Sequence, residues 1–290
     1  MNLLEYLKLL RPQQYVKNLF IFVPLFFALQ IFNKVYLFNA FIAFIAFSMS
    51  ASAVYILNDY LDIEEDRKHP NKKLRPLASG AVNKGLSLVI MVLLWVSSGL
   101  LMEHQSYSAL GILIGYIVLN IAYCFVLKHV AILDVVIISV GFVLRLFIGS
   151  AVTGITLSQW IVIMTFLLAL FLALAKRRDD VLLFQATGQK MRKVIDGYNL
   201  PFLDSAMMIM GSVVIVAYIF YTTSTVDTPR LHSEYLYLTS IFVILGIMRY
   251  LQVTFVEKDS GSPTKILIKD KFMHVTIVFW VLSFAWILYI

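Results

Sequence analysis

The chain has 290 residues, of which 60% are hydrophobic and only 14% charged, with 24 lysines and arginines against 17 aspartates and glutamates. Soluble domains carry about 25% charged residues, so the composition argues against a water-soluble globule and for a lipid bilayer as solvent. The single cysteine, Cys124, excludes a disulfide framework and a cysteine-rich metal site.

In chain order, the opening Met1–Arg11 carries Glu5 and Lys8 and reads as a short amphipathic helix at the interface, not as a cleavable signal peptide. Nine apolar runs follow: Tyr15–Phe32, Tyr36–Leu57, Leu86–Met102, Tyr107–Leu127, Ile132–Val152, Trp160–Ala175, Phe202–Tyr221, Tyr235–Phe255 and Phe272–Ile290. Each approaches the ~20 residues that a helix needs to cross a hydrocarbon core. None shows the polar stripe of a soluble amphipathic helix. The backbone in lipid must satisfy its own hydrogen bonds, so the expected fold class is an all-α integral membrane protein, a bundle of about nine transmembrane helices. The first run departs most from this pattern, because it contains Lys17, Asn18 and Pro24. Gly111 and Gly115 in the fourth run predict close helix packing, within the bundle in preference to dimerisation.

The net charge of +7 does not indicate nucleic acid, because the cations cluster. With the N-terminus inside, the inside segments hold Lys8, Arg11 and Lys17, then Arg67, Lys68, Lys72, Lys73, Arg75 and Lys84, and then Lys128. Later inside segments add Lys176, Arg177, Arg178, Lys190, Arg192 and Lys193, followed by Lys258, Lys265, Lys269 and Lys271. Only Lys34 and Arg230 fall outside. This bias predicts a cytoplasmic N-terminus, an outside C-terminus and catalytic loops on the cytoplasmic face. The whole chain, residues 1–290, reads as one domain. Arg145 lies deep in the fifth run on nearly the same helical face as Asp134, which predicts a polar cavity or an internal ion pair. Arg249, nearer the inside end, is expected to snorkel to the headgroups.

Asn58-Asp59-Tyr60-Leu61-Asp62-Ile63-Glu64-Glu65-Asp66 is the most informative stretch. Asp59, Asp62 and Asp66 stand at i, i+3 and i+7, placing three carboxylates on one face of a continuing helix at the membrane boundary. Such like charges repel unless a cation neutralises them. Mg²⁺ binds one or two carboxylates together with substrate phosphates, so Mg²⁺ with a diphosphate is the expected ligand. The basic loop that follows, with Lys72, Lys73 and Arg75 between prolines, suits a polyanion held between metal and cations. A solvated acidic helix end is the alternative.

The segment NDYLDIEEDRKHPNKKLRPLASG, residues 58–80, resembles the first signature of the UbiA-type intramembrane prenyltransferase superfamily. The resemblance implies a Mg²⁺-diphosphate site at Asp59, Asp62 and Asp66. Typical members carry a second aspartate-rich motif after the sixth span. Here Lys176-Arg177-Arg178-Asp179-Asp180 stands in its place, which suits an anionic phosphate instead of a second metal. With Arg11-Pro12-Gln13-Gln14-Tyr15-Val16-Lys17-Asn18, Tyr123, Lys128, Asp134, Arg145 and Gly261-Ser262-Pro263-Thr264 before Asp270, the chain is similar to decaprenyl-phosphate phosphoribosyltransferases nearly end to end. It departs from them at Asp180, where that branch has Glu, and at Tyr15, where Trp is common.

That resemblance implies Mg²⁺-dependent transfer of a 5-phosphoribosyl group from phosphoribosyl pyrophosphate to a polyprenyl phosphate at a bacterial cytoplasmic membrane. It implies catalytic roles for Asp59, Asp62, Arg75 and Lys128. Lys17, Arg177 and Arg178 are expected to hold the acceptor phosphate, and Lys73, Arg75 and Lys128 the donor phosphates. Asn18, Asn58, Asp66, Tyr123, Asp134, Arg145, Lys176 and Asp180 complete the expected binding set. The lipid bilayer is the expected partner, nucleic acid is not, and self-association into a homo-oligomer stays open. The competing readings are a prenyl-diphosphate transferase with a hydrophobic acceptor and a transporter.

Overall fold

Asparagine and serine side chains open most of the long helices, as N-caps do when they satisfy the free amides of a first turn. Asn33 accepts from the amides of Val35 and Tyr36, Asn83 from Leu86, Ser106 from Ala109, Ser158 from Trp160 and Asn199 from Phe202. Gly154 and Gly188 close two of them in the left-handed region, at φ 69° and 70°. The computed structural model describes residues 3–69, 72–188, 193–224, 235–257, 266 and 269–289, and among these every regular element is helical. Lys190, Arg192, Arg230, Lys258, Lys265 and Gly261–Thr264 lie outside the described residues, as do Pro70 and Asn71 of the basic loop.

The elements are α1 (Leu3–Leu10), α2 (Val23–Phe27), α3 (Lys34–Leu61), α4 (Ile63–Lys68), α5 (Pro76–Ser79), α6 (Lys84–Gln105), α7 (Tyr107–Phe125), α8 (Leu133–Thr153), α9 (Gln159–Thr187), α10 (Leu200–Thr223), α11 (Ser240–Gln252) and α12 (Lys271–Tyr289). Seven helical segments among the described residues are long and apolar enough to cross a membrane: α3, α6, α7, α8, α9, α10 and the continuous stretch Leu236–Glu257 that contains α11. This is an all-helical integral membrane protein. Many large apolar side chains on these helices, such as Val92, Leu93, Val118 and Met208, stay exposed, as a lipid-facing surface requires.

The first expected run is not a continuous α-helix. Pro12–Phe22 forms a 3-10 helix of 11 residues, and α2 adds only 5 more before Leu29 turns at φ 56°. Pro12 and Pro24 sit at the starts of the two pieces, where a proline is tolerated and an unbroken α-helical ladder is not.

The helices gather into two compact units, Met1–Leu157 and Ser158–Ile290. In the first, α3 packs against α6, α7, α8 and the 3-10 segment. Its buried face is rich in small residues, including Ala40, Ala43, Ala46, Ser48, Ala51 and Ser52, which let neighbouring backbones come close. The tightest approach is at Gly149 of α8, where a Cβ would stand 2.0 Å from the carbonyl oxygen of Ile21. Gly111 and Gly115 do not pack as expected: both are exposed, with open space where a Cβ would go. Within the second unit α9 lies along α10, and Gly211 lets Ile247 and Phe171 approach.

Two helices are longer than a bilayer core of roughly 30 Å requires. At about 1.5 Å per residue, α3 with 28 residues and α9 with 29 extend over ~42 Å and ~44 Å. The surplus falls at the C-terminal ends, which carry Asn58-Asp59 in α3 and Lys176–Asp180 in α9.

Candidate active site

In the first unit the acidic motif differs from a straight helical stack. Helix α3 ends at Leu61, and Asp62, at φ −95° and ψ 8°, joins it to α4. The expectation of three carboxylates on one continuous face is therefore corrected. The chain turns at Asp62, which pairs with Lys128 while Asp59 and Asp66 share Arg75, so their mutual repulsion is relieved by pairing.

Asp59 and Asp66 turn inward and are only 2% exposed. Arg75 Nη1 donates to both, at 3.0 Å to Asp59 Oδ1 and 2.6 Å to Asp66 Oδ2, so these two carboxylates converge on one nitrogen. Arg11 Nη2 donates to both oxygens of Asp59, at 2.5 and 2.7 Å, with its guanidinium 5.1 Å from the centre of the Tyr55 ring. Asp62 instead accepts from Lys128 Nζ at 2.5 Å and from Asn58 Nδ2 at 3.0 Å. Burial pushes the Asp66 carboxyl above the ordinary carboxylate value, against the opposing pull of Arg75. The basic loop is fastened by Arg67, whose Nε donates to the Ala78 carbonyl, and by His69 Nδ1, which accepts from the Lys72 amide. Lys73 is exposed beside it.

The donor set fits a hard divalent cation. All its ligand atoms are oxygen, as Mg²⁺ requires. Among the described residues no three His, Cys, Asp or Glu side chains come together to hold an ion unaided. The convergent Asp59–Asp66 pair is instead the protein share appropriate to an ion that also takes substrate phosphates.

Below this cluster the same unit buries a second set of polar groups. Arg145, 5% exposed, donates from Nε to Asn18 Oδ1 at 2.8 Å and from Nη1 to the Gly141 carbonyl at 2.7 Å. Its guanidinium lies 4.6, 5.4 and 5.3 Å from the ring centres of Phe47, Tyr116 and Phe142. Among the described residues no carboxylate pairs with it: of the two expectations the ion pair fails there, because the cation is met by rings and amide oxygens. Asn18 in turn donates to Ser48 Oγ at 2.8 Å, so both ends of its amide are occupied. Lys17, partly buried next to it, makes no hydrogen bond or ion pair in the described structure. Asp134 is fully buried in the first turn of α8, and Tyr123 packs half-buried against the core.

In the second unit the basic run is largely engaged. Arg177, 1% exposed, donates to Asp180 Oδ2 at 2.7 Å. Arg178 donates from Nε to Asp204 Oδ1 at 2.6 Å and from Nη1 to the Thr254 carbonyl at 3.0 Å, and lies over the Phe255 ring. Lys176 is exposed. Arg249, expected to snorkel, is tied to Asp270, Glu257 and Gln252 instead.

Sequence reasoning missed Arg11 as a site residue. Its partner is 48 positions away, and the only hint was its place in the Arg11–Asn18 segment.

A polytopic helical protein with carboxylates and cations gathered at a helix end belongs to the class of integral membrane proteins with a charged site at the membrane boundary. Residues 19–276 match the UbiA prenyltransferase family, and the chain belongs to it. It is 33% identical over 288 residues to the decaprenyl-phosphate phosphoribosyltransferase of Corynebacterium glutamicum, covering 98% of this chain and 86% of that one. It is 30% identical over 295 residues to the enzyme of the same name from Mycolicibacterium smegmatis, covering 95% and 89%. The structure of a UbiA homologue from Archaeoglobus fulgidus bound to DMAPP and Mg²⁺ superposes with a TM-score of 0.73 at 16% identity, covering 99% of each chain. The protein is thus an enzyme, a membrane transferase of the UbiA family.

Proposed function

We propose that this enzyme transfers a 5-phosphoribosyl group from phosphoribosyl pyrophosphate to a polyprenyl phosphate and releases pyrophosphate. The observation that carries this reading is the pairing of one acidic diphosphate site with a basic run, Lys176–Arg178, where a second acidic motif would serve an ordinary prenyl transfer. The names of the two relatives, matched over nearly the whole chain, support it.

Mg²⁺ held by Asp59 and Asp66, with Asp62 and Asn58 nearby, would neutralise charge that develops on the departing pyrophosphate. The chain's own groups do the rest. Arg75, Lys128 and Lys73 take the donor phosphates, the first two by leaving the carboxylates they now hold. Lys17, which makes no hydrogen bond or ion pair among the described residues, takes the acceptor phosphate in the first unit, and Lys176 and Arg177 are the cations that the second unit offers to a phosphate. Arg178 braces the ends of α9 and α10 for that task. Asn18 and Arg145, bonded to each other, fix the 3-10 segment that carries Lys17; Tyr123 and Asp134 line the first unit, and Asp180 orients Arg177 in the second. An oxygen of the lipid phosphate attacks the anomeric carbon as the C–O bond to pyrophosphate breaks, and the bonding pair leaves with pyrophosphate. The attacking phosphate is already ionised, so no proton has to move and catalysis is positioning and electrostatics.

The chain is read as one domain of nine crossings in a bacterial cytoplasmic membrane, N-terminus inside. The first crossing is achieved unconventionally. A 3-10 helix rises about 2.0 Å per residue, so Pro12–Phe22 covers ~22 Å and α2 adds ~7 Å, close to the thickness of a bilayer core. The ninth is α12, of 19 residues.

The test is incubation of purified protein with Mg²⁺, phosphoribosyl pyrophosphate and a polyprenyl phosphate, followed by mass spectrometry of the lipid. A phosphoribosylated lipid is expected. Prenyl transfer from a prenyl diphosphate without pentosyl transfer would overturn the assignment, and so would vesicle flux without chemistry.

A further inference from the structure

Arg11 stands at the joint between α1 and the 3-10 segment with φ 54° and ψ 56°, a left-handed conformation that non-glycine residues seldom adopt. Holding a side chain there costs on the order of 1 kcal/mol and persists only where the surroundings impose it. Both flanks are fastened. Tyr6 Oη accepts from the Asn83 amide, Leu9 is buried, and the Leu10 carbonyl accepts from Ser52 Oγ. Beyond the joint, Tyr15 is hydrogen-bonded to that same Ser52 hydroxyl. The backbone of Arg11 is thus fixed, and its guanidinium, 19% exposed, is the part free to change partners.

That guanidinium occupies both oxygens of Asp59, one of them shared with Arg75. A divalent cation arriving alone must evict a cation from Asp59 and then sit beside it, with no new anion to compensate either charge. A cation arriving with a diphosphate meets no such penalty, because the displaced guanidinium finds phosphate oxygens, which arginine binds in bidentate fashion. We infer that Arg11 is a donor-binding residue that works by exchange, releasing Asp59 to the metal and taking the diphosphate in its place. The exchange makes the site selective for a metal–diphosphate complex over the free metal. The inference rests on the proposed donor site at Asp59 and Asp66 but not on which group is transferred.

The experiment titrates Mn²⁺ into purified protein in lipid nanodiscs, with paramagnetic resonance as readout, in the presence and absence of inorganic pyrophosphate. Wild type is compared with Arg11→Asn and Arg11→Gly, both suited to a left-handed backbone, so that loss of the charge is not confounded with strain. Wild type is expected to bind the metal alone weakly and roughly tenfold better with pyrophosphate, equivalent to about 1.4 kcal/mol. Each variant is expected to bind the metal alone more tightly than wild type and to lose most of the enhancement by pyrophosphate. A merely structural arginine would not produce opposite signs. Variants that bind free metal no more tightly than wild type, or that keep the full enhancement, would overturn the inference. Absence of pentosyl transfer alongside the expected exchange would overturn the proposed function and leave this inference standing.

Discussion

Replacing Gly149 with alanine tests how the contact of α8 with the 3-10 segment places the site. The added Cβ would lie 2.0 Å from the Ile21 carbonyl oxygen and 3.2 Å from Pro24 Cγ. A comfortable C···O contact is about 3.3 Å, so the 3-10 segment must retreat from α8 by about 1.3 Å. Overpacking of this kind costs roughly 1–3 kcal/mol of stability. The functional cost is larger than the stability cost suggests, because the same segment carries Lys17 and Asn18 and begins at Arg11. A displacement of about 1 Å at a reacting centre lowers the rate by about 100-fold. The expected result is a folded protein, slightly less resistant to heat in detergent, with kcat/KM for transfer reduced about 100-fold, near 2.7 kcal/mol of lost transition-state stabilisation. Thermal unfolding and transfer rates measured on one preparation separate the two effects. Wild-type transfer in a variant shown to carry the alanine would refute the idea that this close approach positions the cations.

In the second unit, Arg178→Ala should lower thermal stability by about 1–2 kcal/mol, a figure discounted because Asp204 is partly exposed. Arg178→Lys should not restore it, since one ammonium cannot reach Asp204 and the Thr254 carbonyl in the fork geometry of a guanidinium, and thermal unfolding of both variants checks this. The raised carboxyl of Asp66 takes up its proton at a higher pH on acidification than an ordinary carboxylate does. Its contribution to folding is therefore present below the unfolded-state value and lost as pH rises through the folded one. Metal–pyrophosphate binding, which needs the ionised form, should weaken early on acidification. Calorimetric titrations in wild type and Asp66→Asn read this directly, and an unchanged acid limb in the variant would remove Asp66 from the site.

How much of this was legible beforehand depends on the range of the interaction. The spans were readable because burial in lipid imposes a long apolar run on each helix. The apolar runs did not mark the N-caps at Asn33, Asn83, Ser106 and Asn199, which the structure shows as side-chain bonds within the first turns. The acidic motif and its basic loop are continuous in sequence, so the pairing of Arg75 with Asp66 spans only nine positions. The contacts of Arg11 and Lys128 with the motif span 48 and 66 positions, and that of Arg145 with Asn18 spans 127. No local pattern announces them.

From its own residues the chain determined its solvent, its helices, and the place where carboxylates and cations meet at a helix end, since each follows from hydropathy or neighbouring side chains. Tertiary structure alone decided which cation each carboxylate holds, that Asp62 parts from Asp59 and Asp66, and that Arg145 rests on aromatic rings with no carboxylate of the described residues beside it. Those outcomes depend on how closely separate helices approach, and at Gly149 that distance is set by the absence of a single side chain.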